Sequence, residues 1–424
     1  MSSQSRHTMT LIALIVAGEA VFSLPFHIVR FFRPTVLDVF QVTNLQIGQV
    51  QGTYGIIAMV CYFLGGPLAD RYEAKYLLIA SLATTGAGGL YFAQIPSLQG
   101  LQLLYAFWGC STILLFWSAL IKATREWGGV SQQGRAFGLL EAGRGVFAAI
   151  FVSLALGILT FILPDNLENL DAERQRTALQ SIIYLYTAAT LMAALLVALY
   201  IPATDSTQAR TATHITAGGK LQTVITNPLI WPQLLIVVSA YVAYKGIDNY
   251  VLYAVQGYGL SEIEGAQVAA TSGWIRPLSA ILAGFLADRL RPSRVVSAAF
   301  LILIAGYALF AMLTPGPDLY WVLISNVIIT SVAVYALHAI YFALVAESRV
   351  PVAITGTAIG VISVIGFTPD IFFAPAMGWL LDNHTPIVGH QYVFGGLMAF
   401  ACLGFFSSML LIWQLQRARL TNHG

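Results

Sequence analysis

Apolar runs of about 20 residues, the length that crosses a hydrocarbon core, follow one another through this 424-residue chain from end to end. Few folds can absorb such a sequence. Only 9% of the residues are charged and 58% are hydrophobic, whereas a soluble domain carries about 25% charged residues. A chain this poor in charge cannot clothe a water-facing surface, so lipid must be the solvent for most of it. In hydrocarbon every backbone polar group needs an internal partner. The runs therefore predict helices near 9–32, 47–67, 76–95, 99–122, 134–162 and 177–200, then near 229–255, 265–287, 293–313, 320–346, 353–381 and 389–414. The expected class is an all-α membrane protein with twelve transmembrane helices. Between the two sets lies a polar stretch rich in Thr, Ala and Gly and without periodicity, which reads as a linker.

Arg6 ahead of an apolar run could suggest a signal peptide. Glu19 interrupts that run, however, and a cleavable h-region is short and uncharged, so an uncleaved first span is expected. The net charge of +2 and the lack of a Lys/Arg run give no footprint for nucleic acid. Cys61, Cys110 and Cys402 sit apart inside apolar runs and read as small hydrophobes. Neither a metal-spaced cluster nor a nucleophile elbow or cofactor fingerprint is present, so no enzyme, metal or cofactor is expected. Gly218-Gly219-Lys220-Leu221 lacks the earlier Gly and the Ser/Thr of a phosphate-binding loop, which argues against ATP hydrolysis by that route.

Twelve spans put both termini on one side, and loop charge sets which. The segments on the side of the termini hold Arg6, Arg71, Lys75, Lys122, Arg125, Arg135, Arg210, Lys220, Arg289, Arg291, Arg294, Arg349, Arg417 and Arg419. The opposite loops hold Arg33, Arg174 and Arg176. Both ends are expected in the cytoplasm. The halves also repeat. Gly66-Pro67-Leu68-Ala69-Asp70-Arg71 closes the second span, and Gly284-Phe285-Leu286-Ala287-Asp288-Arg289 closes the eighth, 218 positions later (284 − 66). A repeat of half the chain at matching topological positions predicts two pseudo-symmetric six-helix bundles about an axis along the membrane normal. The expected division is 1–200 for the first bundle, 201–228 for a cytoplasmic linker and 229–424 for the second.

These residues carry a resemblance to the major facilitator superfamily that extends over essentially the whole chain. That family's loop after its second helix reads roughly G-x-L-A-D-R-x-G-R-K. Gly66, Leu68, Ala69, Asp70, Arg71 and Lys75 stand in register here, with Glu73 and Ala74 in place of Gly and Arg. Gly284, Asp288 and Arg289 repeat the pattern, and Gln133-Gly134-Arg135-Ala136-Phe137-Gly138 resembles the family's entry to helix five. Within the family the chain looks most like bacterial inner-membrane carriers of small anions. The resemblance implies alternating access, with solute held between the bundles near mid-membrane and helices one and seven lining the cavity. An Asp near the N-terminus of a neighbouring helix gains about 0.3–1 kcal/mol from its dipole. Asp70 is thus expected to latch the start of helix eleven, and Asp288 the start of helix five near Arg135.

Eight ionisable residues fall within spans: Glu19, Arg30, Glu141, Arg144, Lys245, Asp248, Arg276 and Asp370. Facing lipid, they would cost on the order of 20 kcal/mol together, so they must face partners or a wet cavity. Three pairs share the spacing that puts both residues on one helix face: Glu141 with Arg144, Lys245 with Asp248, and His27 with Arg30. By the repeat offset His27 matches Lys245, and Arg30 matches Asp248. These positions, with Arg144, Arg276, Tyr244 and Asn249, are the expected solute contacts. An Arg fork suits a carboxylate or phosphate, against the alternative that every acid simply pairs with a base. Glu19, with no base three or four residues away, is the expected proton site, with Asp370 and Glu141 as further candidates. Each acid could equally be the partner of Arg276 or Arg144 across the bundle. Pro369 is expected to interrupt helix eleven, and His338 in helix ten reads as a packing residue.

The expectation is a monomeric, proton-coupled symporter of a small organic anion in a bacterial inner membrane, its partners being solute, protons and the lipid bilayer. A sugar or polyol carrier, an exporter or exchanger, and a transporter-like receptor are the alternatives.

Overall fold

The computed structural model describes residues 3–128, 133–162, 172–202, 222, 224–347 and 355–420. The greater part of the expected linker, and the side chains of Asp70 and Arg135, lie outside the described residues. The helices of the first half are α1 (Ser5–Phe31), α2 (Asn44–Arg71), α3 (Ala74–Phe92), α4 (Leu98–Gly128), α5 (Gln133–Ile162) and α6 (Ala172–Tyr200). Those of the second are α7 (Ile230–Tyr258), α8 (Glu262–Leu290), α9 (Pro292–Met312), α10 (Tyr320–Ile340), α11 and α12 (Pro386–Leu420). Helix α11 runs in two pieces, Thr355–Gly366 and Pro369–Asp382. Among the described residues, ten helices are individually long and apolar enough to cross a membrane. The remaining two, α3 and α8, are diluted by Gly, Ser and Thr and, in α8, by Arg276. They span as members of the bundle. This is the all-α, twelve-helix architecture expected from the sequence.

The 218-residue repeat runs deeper than the loop motif. Thr43 caps α2 in a reciprocal capping box with Gln46, and Ser261, one repeat later, caps α8 in the same way with Glu264. Each box satisfies two N-terminal amides that would otherwise lack partners. Gly88 lies against Trp108, and the repeat-related Gly306 lies against Asn326. A Cβ on Gly88 would come within 2.5 Å of the indole nitrogen, and one on Gly306 within 2.9 Å of the amide oxygen. The two halves thus pack α3 on α4 and α9 on α10 through the same glycine position.

Helix–helix association in lipid relies on close backbone approach at small residues, and between the halves that approach is closest where α2 meets α11. Toward the side away from the termini, α2 and α11 touch backbone to backbone. A Cβ on Gly48 would lie 2.3 Å from the Ala374 carbonyl oxygen, and one on Gly378 would lie 2.2 Å from that of Asn44. Gly52 and Gly55 meet Ile371 and Asp370 similarly. Asp382, at the end of α11, accepts from the Asn44 amide at 3.1 Å and the Leu45 amide at 2.6 Å, and so caps α2 from the other half. Toward the side of the termini, a Cβ on Gly66, Gly138, Gly284 or Gly360 would meet nothing within 4 Å. The apolar clusters follow suit. The cluster containing Ala13, Leu120 and Ile201 draws its buried members from the first half alone, while that around Leu24 and Trp108 incorporates Val251, Ile263 and Ala269. The halves are joined at the far side and part toward the side of the termini.

Candidate functional site

The intramembrane charges converge on two adjoining clusters between the halves. Local geometry places them. Ser23–His27 forms a π-helical turn in α1 around Pro25, which has no amide hydrogen to donate. Such a turn winds more residues per turn than an α-helix, and it draws His27 back toward Glu19. In α7, Ile247–Asn249 is a tight 3-10 turn, which turns Lys245 and Asp248 to different neighbours. In α11 the break before Pro369 presents Asp370 at the start of the second piece.

Glu19 is the centre of the first cluster. Its Oε1 receives Arg276 Nη1 at 2.6 Å and lies 3.3 Å from His27 Nε2, while its Oε2 receives Arg144 Nε at 3.0 Å. Arg144 Nη1 also donates to Glu141 Oε1 at 2.5 Å, and Arg276 Nη2 lies 3.6 Å from Glu141 Oε2. Two arginines from opposite halves are therefore clasped between two carboxylates. The carboxylates differ in access: the Glu141 side chain is 36% exposed and that of Glu19 2%. Glu141 sits toward the parted side, between the arginines and open space.

The second cluster crosses between α1 and α7. Arg30 donates from Nε to Asp248 and from Nη1 to the Tyr244 hydroxyl at 3.0 Å, with its guanidinium over the Tyr244 ring. Lys245 pairs with Asp370 at 3.2 Å, and the Tyr241 hydroxyl donates to the same carboxylate at 3.0 Å. His338 stacks on Tyr244 with ring centroids 4.7 Å apart, as a packing residue would. All of these side chains but Tyr241, Tyr244 and His338 are buried.

Glu19 has the partners across the bundle expected as the alternative, Arg276 and Arg144, and His27 besides. Several other expectations need correction. Lys245 and Asp248 do not pair with each other despite their spacing, since the 3-10 turn separates them. Asp370 partners Lys245 instead of Arg276 or Arg144. His27 and Arg30 serve different clusters. Glu141 and Arg144 do bond as their spacing predicted, and Asn249 is fully buried with neither amide atom partnered. Asp288 is exposed at the end of α8, and among the described residues no ion pair reaches it. Gly66, Arg71, Gly284 and Arg289 lie at the ends of the parted helices. Sequence reasoning missed Asp382, whose capping role shows only once α2 and α11 are side by side.

With this geometry in hand, comparison with known proteins gives the class. The family model for the Major Facilitator Superfamily matches residues 15–369. The chain belongs to that family: it is a multi-pass membrane transporter and not an enzyme. Among similar proteins, Inner membrane protein YihN of Escherichia coli (strain K12) is 23% identical over 412 residues, covering 96% of this chain and 95% of that one. Inner membrane protein YqcE of the same organism is 24% identical over 408 residues, covering 94% and 92%. Among solved structures, a bacterial homolog to the human lysosomal transporter Spinster, inward-facing and unoccupied, superposes with a TM-score of 0.72 at 15% identity, covering 97% of this chain and 98% of that one. The nucleoside transporter NupG gives 0.70 at 15% identity, covering 96% and 99%. At these identities the likeness of structure is one of fold.

Proposed function

We propose that this transporter is a proton-coupled symporter of a small organic anion, working by alternating access. The observation that carries the reading is the clasp of Arg144 and Arg276 between a sealed Glu19 and a half-open Glu141. With both acids ionised, the four charges cancel. Protonation of one acid, or its displacement, leaves a guanidinium pair free for a carboxylate or phosphate, which an Arg fork binds through two oxygens. Coupling follows from charge: the buried arginines accept an anion at least cost when a proton has neutralised an internal carboxylate. Glu19 is the proposed proton site, with Glu141 as the acid that yields its place to solute and Asp370 as a second titrating group held by Lys245. Arg30, His27, Lys245, Asp248, Tyr244 and Asn249 complete the solute-facing wall.

On the loop-charge bias the termini are cytoplasmic, so this conformation opens inward. The relatives named as inner membrane proteins support a bacterial inner membrane. The two bundles, 1–200 and 229–424, rock about the cluster within one monomeric carrier. Asp70 and Asp288 would latch α11 and α5 when the cytoplasmic side shuts. A sugar or polyol is the second reading, favoured by the unpartnered Asn249 amide and by Trp274, which is 47% exposed and bonded to Ser153. Fixed charges at the centre disfavour a large apolar cargo. Counterflow in proteoliposomes with sugar acids, sugar phosphates, nitrate and neutral sugars decides among these. Exchange of sugar acids alone or above all others is expected, and exchange of neutral sugars alone would replace the anion reading.

A further inference from the structure

Arg33 is a buried cation without a counter-ion of its own. It lies just past α1 toward the far side and is 0% exposed. Its Nε donates to Asn44 Oδ1 at 3.0 Å, but neither Nη1 nor Nη2 has any hydrogen-bond partner. The two carboxylates whose charge acts on it are engaged elsewhere: Asp248 is bonded to Arg30, and Asp382 to the Asn44 and Leu45 amides. Burial brings the Arg33 pKa down to about 10, which still leaves it cationic at neutral pH. A buried guanidinium with two donors idle is costly, and the fold has not removed it.

A second set of idle groups lies on the helix that packs against this segment. The segment Ile28–Phe31 packs against Ile247–Asn249, and the helix Arg33–Phe40 that follows packs against Tyr250–Tyr258. Asn249, on that wall, is fully buried with both amide atoms unpartnered. One helical turn on, the Tyr253 hydroxyl is also unpartnered. Its ring lies 5.1 Å from that of His390, whose Nδ1 is idle too. Of these groups the two free guanidinium nitrogens of Arg33 are donors alone, and they carry the positive charge that an anion would match.

We propose that Arg33 and Asn249 hold an oxyanion in a second site, on the far side of the central Glu19 cluster. The free Nη1 and Nη2 form the end-on fork that matches two oxygens of a carboxylate or phosphate, and the Asn249 amide supplies a further donor. The site is occluded here because Asn44 and Asp382, its neighbours, belong to the closed contact between α2 and α11. Opening of that contact admits and releases the anion. The site shares Asn249 with the proposed solute wall and rests on that reading there, while the Arg33 fork is separate from the Glu19 cluster.

The test is thermal unfolding of the purified full-length protein in detergent, titrated with sodium formate or phosphate against chloride at constant ionic strength. A ligand that binds the folded state alone raises its stability in a saturable way. Formate or phosphate should raise the midpoint by on the order of a few degrees, with chloride doing less. A saturable component of the response should persist in R144Q, be missing from R33Q, and shift to several-fold higher concentration in N249A. R33K, which keeps charge but loses the fork, covers the case in which R33Q does not fold; it should weaken the response. No saturable response in the wild type would mean that water fills the site and overturns the proposal. A response unchanged in R33Q, R33K and N249A, or one abolished by R144Q, overturns it equally.

Discussion

Arg30 and Asp248 are separated by one sequence repeat, 218 residues, and bond to each other across the two halves of the molecule. Equivalent positions in the two bundles have opposite charge, so the pseudo-symmetric pair becomes an inter-bundle ion pair. Breaking a buried pair by removing one partner costs roughly 3–5 kcal/mol. R30Q or D248N alone should therefore lower the thermal midpoint and abolish counterflow. The exchanged double variant R30D/D248R should recover a large part of the stability, because the pair is kept with its ends reversed. Recovery no better than additive would show that the two residues act separately.

The glycines of α2 and α11 should set which side of the carrier opens. With the Gly48 Cβ position 2.3 Å from a carbonyl oxygen, G48A or G378A cannot keep the far-side contact as it is. Both variants should favour the conformation open on the far side, read as increased labelling of a cysteine introduced at Ala374, which is buried at this contact in the closed state. G138A and G284A meet nothing in this state and should fold normally. Unchanged labelling in G48A and G378A would contradict the closure described here.

Asp382 should act on the same contact through charge. Its carboxylate accepts from two amides at the start of α2, where negative charge is favoured by the helix dipole. Loss of a cap of this kind costs about 0.5–2 kcal/mol. D382N should thus raise far-side labelling several-fold while the protein stays folded, and D382E should restore part of the closure. Labelling of D382N equal to wild type would remove Asp382 from the gate.

Asp288 is exposed at the end of α8, and its proposed latch partner near Arg135 lies outside the described side chains. D288N should slow counterflow several-fold while leaving the unfolding free energy within about 0.5 kcal/mol of wild type, as surface substitutions usually do. Undiminished counterflow would leave Asp288 as an interfacial charge only.

Much of the fold was legible because lipid leaves a chain few options. The apolar runs located the spans, and Gly66 with Gly284 exposed the repeat, since a motif repeated at half-length constrains topology. The membership of the site was also legible: a buried ion is expensive wherever it sits, so Glu19, Arg144 and Arg276 could be singled out one by one. Their pairing was not. Spacing along one helix predicts partners only while the helix stays regular, which it does between Glu141 and Arg144. It fails at Ile247–Asn249, where a 3-10 turn divides Lys245 from Asp248, and at Ser23–His27, where a π turn brings His27 to Glu19. Contacts such as Asp382 with α2 depend on long-range packing that no local pattern records.

The central claim is that a proton on the Glu19 cluster drives solute movement. It is tested most directly by comparing two measurements on E19Q in proteoliposomes: accumulation driven by a pH gradient, and counterflow at equal pH. E19Q should lose pH-driven accumulation and keep counterflow, because glutamine stands in for the protonated acid, keeps one acceptor oxygen for the arginines and cannot titrate. Accumulation driven by the pH gradient at the wild-type level in E19Q would contradict it.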